Sequence, residues 1–510
     1  MILRKPDRYF IDADGECNDT LVEFDFTENY IDVYVTSRDK LKFLTLRWDF
    51  VNGGKRSDSF RICGDAWERS YGDMAWRGIE PDRIMPWYFA VSNGSDSDMN
   101  YDGRFTECFG VGVRPGAMCS WKYDTSGITL NMDIRNGALP VELGGKRLYA
   151  ARIFFREYRA MSAFYALCEF CKVMCPERLE SKNVIYGSNN WYYAYGNSSR
   201  EEILSDTRLI AELCKENENP PYMVIDDGWQ VNRCDAPWES NEKFGDMKSL
   251  ADEMSSAGVI PGIWVRYLVD GKHSLNFPDE CRRNKDYLDP THPLVLEYVA
   301  DVTKKLNDWG YKLIKHDFST FDISGRWGKN IGKNFCGGNE GFYDKSKTTA
   351  QVIVDFYRVI LDTSPEAVIL GCNTVGHLCA GLVHANRTGD DTSGRDWSVT
   401  KYNGVNTLAF RLCQNKIFYD ADPDCVGIMG KFPWELNRQW LDLVAKSGTT
   451  LFVSCKPSEA ENSQIAQDLK MAYIPASAQN DTVVPLDWME TNCPTEYLVN
   501  EEKKHFDWYE

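Results

Sequence analysis

Acidic residues recur in this 510-residue chain directly after short apolar runs. Val224-Ile225 leads into Asp226-Asp227-Gly228-Trp229, Leu313-Ile314 into Lys315-His316-Asp317, and Arg387-Thr388-Gly389 into Asp390-Asp391. Other runs close on Asn189-Asn190-Trp191, on Trp264 with Arg266, on Cys372-Asn373, and on Asp420-Ala421-Asp422-Pro423-Asp424. Two carboxyl groups on either side of a bond are what glycoside cleavage needs. One stays ionised to attack or to steady an oxocarbenium-like centre; the other holds a proton for the leaving oxygen. Lys315 stands two residues before Asp317, on the same face of a strand, so its cation is expected to favour ionised Asp317. Asp391 directly follows Asp390, and a neighbouring carboxylate is expected to raise its pKa, as suits a proton donor. Taken singly, a strand-end acid reads more readily as a helix cap or solvated loop residue. Trp264 alone reads as core, Cys372 as a buried thiol, and His316, pointing opposite to Asp317, as packed between strands and helices. Convergence on one rim would turn these separate residues into a site.

That convergence requires parallel strands in one sheet. Short apolar strands alternate with amphipathic helices after about residue 180. The strands are expected at 184–191, 222–226, 260–267, 313–317, 368–373, 382–388, 417–422 and 450–454. Between them, helices are expected after a capping box of Ser199 and Glu202, at 246–257 with Gly258 as its stop, and at 293–309, 348–361 and 434–447. Eight strands with intervening helices over about 275 residues match a (β/α)8 TIM barrel, whose active site lies at the C-terminal strand ends. Before the barrel, Leu44, Leu46, Trp48 and Phe50 alternate with polar residues, the period of a half-buried strand. Turn signals at Asn52-Gly53-Gly54 and Asn93-Gly94 separate such runs, which predicts an antiparallel β-sandwich. The expected organisation is an N-terminal β-sandwich domain at 1–178, a catalytic barrel at 179–455 and a short C-terminal, β-like segment at 456–510.

Composition narrows the partners. A net charge of −18 disfavours nucleic acid and anionic membrane surfaces and suits a neutral small-molecule substrate. The abundance of Trp, Tyr and Phe (16, 26 and 25) serves a core and a sugar-binding cleft equally. The start, Met1 to Asp12, lacks the apolar core of a signal peptide, so the 17 cysteines are expected as reduced thiols in a cytoplasm. Cys168 and Cys171 form a CxxC with Cys175 beyond, but no second CxxC or His pair completes a zinc site. Phe164, Leu167, Cys168, Cys171 and Cys175 instead share one helical face. The Gly110–Val113 run has no helix after it to make a dinucleotide loop. Neither a metal nor an organic cofactor is expected.

In order along the chain stand VIDDGWQ (224–230), PGIWVR (261–266), LIKHDF (313–318), GCN (371–373), RTGDD (387–391) and DADPD (420–424). Together they resemble glycoside hydrolase family 36, the α-galactosidases and raffinose-synthase-like enzymes, and more distantly family 27. The resemblance covers roughly residues 180–455, and a β-sandwich before the barrel also fits family 36. It implies a retaining α-galactosidase with Asp317 as nucleophile and Asp391 as acid/base. It further implies Asp226 and Asp227 as partners of the sugar 4- and 6-hydroxyls, and Lys315 and Arg387 as hydroxyl contacts. Trp191 and Trp264 would be the aromatic wall, and Cys372 a neighbour of the 2-hydroxyl. Trp229 and Arg266, at the ends of strands two and three, complete the candidate substrate-binding set. The chain departs from the family at His316, in the TSGRDW stretch after Asp391 and in its short C-terminal segment. The alternative activities are an α-N-acetylgalactosaminidase, a galactosyl-transferring synthase, or a catalytically silent carbohydrate-binding protein. A homo-oligomer is compatible with all of them.

Overall fold

The computed structural model describes residues 3–50 and 60–509; the turn expected at Asn52-Gly53-Gly54 lies outside them. Its centre is a parallel sheet of nine strands. They are Tyr186–Asn189, Tyr222–Ile225, Ile260–Val265, Leu313–His316, Val368–Gly371, Ala385–Arg387, Asp420–Asp422, Cys425–Ile428 and Leu451–Cys455. The two ends of the sheet are Asp420–Asp422 and Cys425–Ile428, which are halves of one run joined through Pro423 and Asp424. Proline offers no N–H to a ladder, and Asp424 has a φ of 72°, so the run changes neighbours there. Its first half pairs with Ala385–Arg387 and its second half with Leu451–Cys455. Thr450 N–H also donates to the Ala421 carbonyl at 3.0 Å. The sheet thus closes as an eight-stranded barrel with a split seventh strand. Almost every strand residue is buried, as expected of parallel strands covered on both faces.

Helices Arg200–Leu213, Met247–Ser256, Pro293–Asp308, Thr349–Asp362 and Trp434–Lys446 alternate with these strands. Ser199 caps its helix through the Glu202 N–H at 3.4 Å. The full reciprocal capping box forms instead between Thr348 and Gln351. A further helix, Ser463–Ala478, lies where the sequence reads as irregular to β-like. It packs against Trp434–Lys446 and Arg200–Leu213 and so completes the outer ring. Pro475 lies within it, and Met471 and Ile474 are exposed on it, which blurs the apolar periodicity. Only the strands Val483–Pro485, Glu496–Val499 and Glu502–His505 beyond it form a small antiparallel sheet.

Among the described residues, two antiparallel sheets, of five and six strands, precede the barrel. Leu44, Leu46 and Trp48 point into the space between them and are at most 1% exposed. Trp48 meets Phe155 of the facing sheet, ring centres 5.3 Å apart. Helix Ala163–Met174 follows, burying Phe164, Leu167, Phe170, Cys171 and Met174, with Cys168 at the edge of the same face. The cysteine spacing therefore serves packing.

Candidate active site

The C-terminal ends of the barrel strands surround a cavity of about 100 Å³. Asp317, Asp391, Asp226, Asp227, Lys315, Arg387, Trp191, Trp264 and Cys372 all line it. Trp229 and Arg266 do not. Gly228, with φ 108°, turns the chain after Asp227; a Cβ there would meet the Gly196 backbone at 2.5 Å. Beyond that turn Trp229 is fully buried and donates its indole N–H to the Trp264 carbonyl at 2.9 Å, behind the wall rather than in it. Arg266 lies just past the strand end at Val265 and pairs with buried Asp322 through two bonds of 2.6 and 3.0 Å. Its guanidinium lies 4.2 Å from the centre of the Phe318 ring and 3.2 Å from Cys234 Sγ, so it braces the cavity from outside.

Asp317 leaves strand four half-buried, and Phe318 after it takes a left-handed conformation, φ 62°. A bulky residue occupies that region only where surrounding structure enforces it. Here the turn aims the Phe318 N–H at Asp317 Oδ1 (2.7 Å) while Trp264 Nε1 reaches Oδ2 (3.1 Å). The carboxylate is therefore oriented by two donors. Lys315 is not paired with it: among the described residues no ion pair within 4.0 Å joins the two. Its Nζ crosses the barrel interior to Asp226 Oδ2 at 2.7 Å. Inward side chains from alternate strands meet in such layers, and strands two and four are alternate.

Asp226 also accepts from Asn189 Nδ2 (2.7 Å) and from the Asp227 N–H (2.9 Å). Asp227 accepts from Gln230 Nε2 (2.5 Å), the Cys234 N–H (2.8 Å) and Arg233 Nε (3.3 Å). Burial nonetheless holds its pKa above the usual carboxylate value. Both acids are at most 4% exposed, fixed acceptors in the cavity wall.

Asp391 sits in the loop after strand six. Arg387 Nη2 approaches its Oδ1 at 3.3 Å and Arg69 Nη1 at 3.8 Å. Burial pushes its pKa up, but the charges of Arg387, Arg69 and Lys315 outweigh burial and hold it below the ordinary value. This reverses the sequence expectation, which weighed only Asp390. The Asp390 carboxylate is itself offset by Arg69, whose Nη2 lies 2.9 Å away. Arg387 is 2% exposed and also bonds Asp424 (3.0 Å) and Cys372 Sγ (3.3 Å). Burial drives the Cys372 thiol far up, which keeps it a neutral wall group.

Arg69, Tyr192 and Cys234 line the cavity without having been singled out, and Asp424, named only within the strand-seven run, lines it too. Tyr192 donates to Asp424, which also accepts from the Thr392 N–H at 2.8 Å. The proline break before Asp424 was a readable signal for it. Nothing in the Trp67-Glu68-Arg69-Ser70 run announces Arg69, which reaches the barrel from a loop of the sandwich. His316 is fully buried, bonds Ser319 Oγ at 2.9 Å and does not line the cavity.

No protein-family model and no curated protein sequence matches the chain; solved structures do. The α-galactosidase of Thermus thermophilus, solved with p-nitrophenyl α-D-galactopyranoside, matches over 99% of this chain and 98% of its own, with 16% identity and a TM-score of 0.61. The family 36 α-galactosidase AgaA of Geobacillus stearothermophilus matches over 94% of this chain and 70% of its own, at 13% identity and a TM-score of 0.59. A third structure, a mutant of Kfla1895 with isomaltose, matches over 94% of this chain and 76% of its own, at 11% identity and a TM-score of 0.53. The fold is that of family 36 α-galactosidases. It is also the fold of a protein solved with a glucose disaccharide, so sugar choice must be argued from side chains.

Proposed function

We propose that this protein is a retaining glycoside hydrolase that removes terminal α-galactosyl residues. The observation that carries the reading is the setting of two carboxyl groups on one cavity: Asp317 steadied by two N–H donors, and Asp391 flanked by two arginines. Asp317 would attack the anomeric carbon while Asp391 delivers its proton to the glycosidic oxygen. The bond to the leaving group breaks and a β-linked glycosyl ester forms on Asp317. Asp391, now ionised, takes a proton from water as the water oxygen attacks the anomeric carbon and frees Asp317. Two inversions give net retention. The mechanism needs the two carboxyls about 5–5.5 Å apart across the bound sugar.

Asp226 and Asp227 support a galactosyl unit. Both are immobilised acceptors with little freedom to follow a differently placed hydroxyl, and an axial O4 and a neighbouring O6 can satisfy adjacent acceptors together. A wall of Trp191 and Trp264 offers the apolar sugar face a surface. A panel of aryl α-glycosides tests this reading: α-galactosides should be turned over, and α-glucosides and α-N-acetylgalactosaminides should not. Turnover of the N-acetyl sugar would favour the α-N-acetylgalactosaminidase alternative.

A further inference from the structure

The loop carrying Arg69 comes from the sandwich, yet it is built into the barrel rim. The Ser70 N–H donates to the Thr388 carbonyl (2.9 Å) and the Asp390 N–H to the Ser70 carbonyl (2.8 Å). Arg411, 2% exposed, clamps the junction through Asp65 (2.8 Å) and the Thr388 carbonyl (3.0 Å). Fully buried Glu68 accepts from the Gly328 N–H (2.7 Å) and from Asn373. Arg69 therefore leaves a fixed base, and its guanidinium lies 5.2 Å from the Trp327 ring centre and 5.9 Å from that of Tyr71. One fork nitrogen is 2.9 Å from Asp390 and the other 3.8 Å from Asp391. A single cation is thus shared unequally between adjacent carboxylates.

We propose that Arg69 is a positioning residue for Asp391, and that Asp390 is the counterweight holding Arg69 partly away from it. The division of the guanidinium between the two acids then governs how readily Asp391 carries the proton it must deliver. This rests on the reading of Asp391 as acid/base. Around Asp391 stand Arg387 from strand six, Lys315 from strand four, Asp317 after strand four, Asp424 from the strand-seven break, and Tyr192 and Tyr195 after strand one. Lys315 is committed to Asp226 (2.7 Å), and Arg387 is anchored by Asp424 (3.0 Å). Arg69 is the cation whose share can be changed from outside the cavity, because Asp390 does not line it.

The test is the pH dependence of kcat/KM on an α-galactoside with a sugar leaving group, alongside direct titration of the Asp391 carboxyl by 13C NMR, assigned by difference against Asp391→Asn. Arg69→Gln removes a cation, so the basic limb and the titration should both move up, by roughly one pH unit. Asp390→Asn releases Arg69 toward Asp391, so both should move down. The double variant should titrate below Arg69→Gln alone, because without Arg69 the Asp390 charge acts on Asp391 directly, and Arg69→Lys should return the limb toward its original place. If Arg69→Gln does not fold, Asp390→Asn and Arg69→Lys carry the test. Lower kcat at every pH with limb and titration unmoved would mean that Arg69 is merely structural, and would overturn the proposal. Absence of wild-type turnover would instead sink the hydrolase reading, while the NMR titration would still report the Arg69–Asp390 balance.

Discussion

The Lys315 ammonium lies 2.7 Å from Asp226 Oδ2, and neither residue is more than 8% exposed. The pair is buried at the floor of the cavity, which both residues line. Removing one member of a buried ion pair leaves the other uncompensated, at a cost of about 3–5 kcal/mol. Lys315→Met should therefore lower the melting temperature clearly and reduce kcat/KM by about a hundredfold or more. Thermal denaturation and steady-state kinetics measure both. Full activity with unchanged stability would mean that Asn189 and the Asp227 N–H hold Asp226 without Lys315.

The fixed acceptors Asp226 and Asp227 predict strong sugar discrimination. A site built to bond a hydroxyl rejects a substrate that leaves its buried groups unmet, commonly by a factor of ~10⁴. Competing aryl α-galactoside and α-glucoside should show a preference approaching that size, and Asp227→Asn should erode it. Equal hydrolysis of the two sugars would contradict the assignment.

The depressed pKa of Asp391 predicts a pH profile that depends on the leaving group. The acid form of Asp391 is the active one in the first step, and it is lost as pH rises through a value held low by Arg387, Arg69 and Lys315 against burial. For a sugar leaving group kcat/KM should thus fall early on the basic side. For a dinitrophenyl leaving group, which needs no proton, it should stay level to higher pH. Superimposable profiles would remove Asp391 from the acid role.

Buried histidines predict acid lability. Burial lowers the pKa of His316 to about 3 and those of His377 and His384 to about 4, against 6.5 ordinarily. Below about 6.5 the unfolded chain takes up protons that the folded chain refuses. Stability from this source is complete above that pH and drains away as pH falls toward 4. His377→Asn should flatten the slope of unfolding free energy between pH 6.5 and 4, measured by denaturant titration. An unchanged slope would show that His377 titrates alike in both states.

Much of the barrel was legible because buried parallel strands and amphipathic helices write different periods into the chain. Val224-Ile225 before Asp226 and Leu313-Ile314 before Asp317 set the register of the rim directly. Three things were not legible, each because it depends on distance across the fold. Lys315 shares a strand face with Asp317 but spans the barrel to Asp226, a choice only three-dimensional layering decides. Arg69 arrives from a different sheet system, so no spacing links it to Asp391. Helix Ser463–Ala478 hid behind Pro475 and exposed Met471 and Ile474. Trp229 and Arg266 carried the right residue types at the right strand ends. Arg266 lies one residue past its strand and Trp229 four, where alternation no longer determines which way a side chain faces.

Asp317 should become covalently glycosylated while Asp391 supplies and then removes the proton. Peptide-level mass spectrometry of the Asp391→Asn variant during turnover of a dinitrophenyl α-galactoside tests it most directly. With the first step needing no acid and the second lacking its base, the account predicts a burst of phenol and accumulation of one galactosyl unit on the peptide bearing Asp317. A galactosyl unit on any other residue, or undiminished turnover with no adduct, would contradict it.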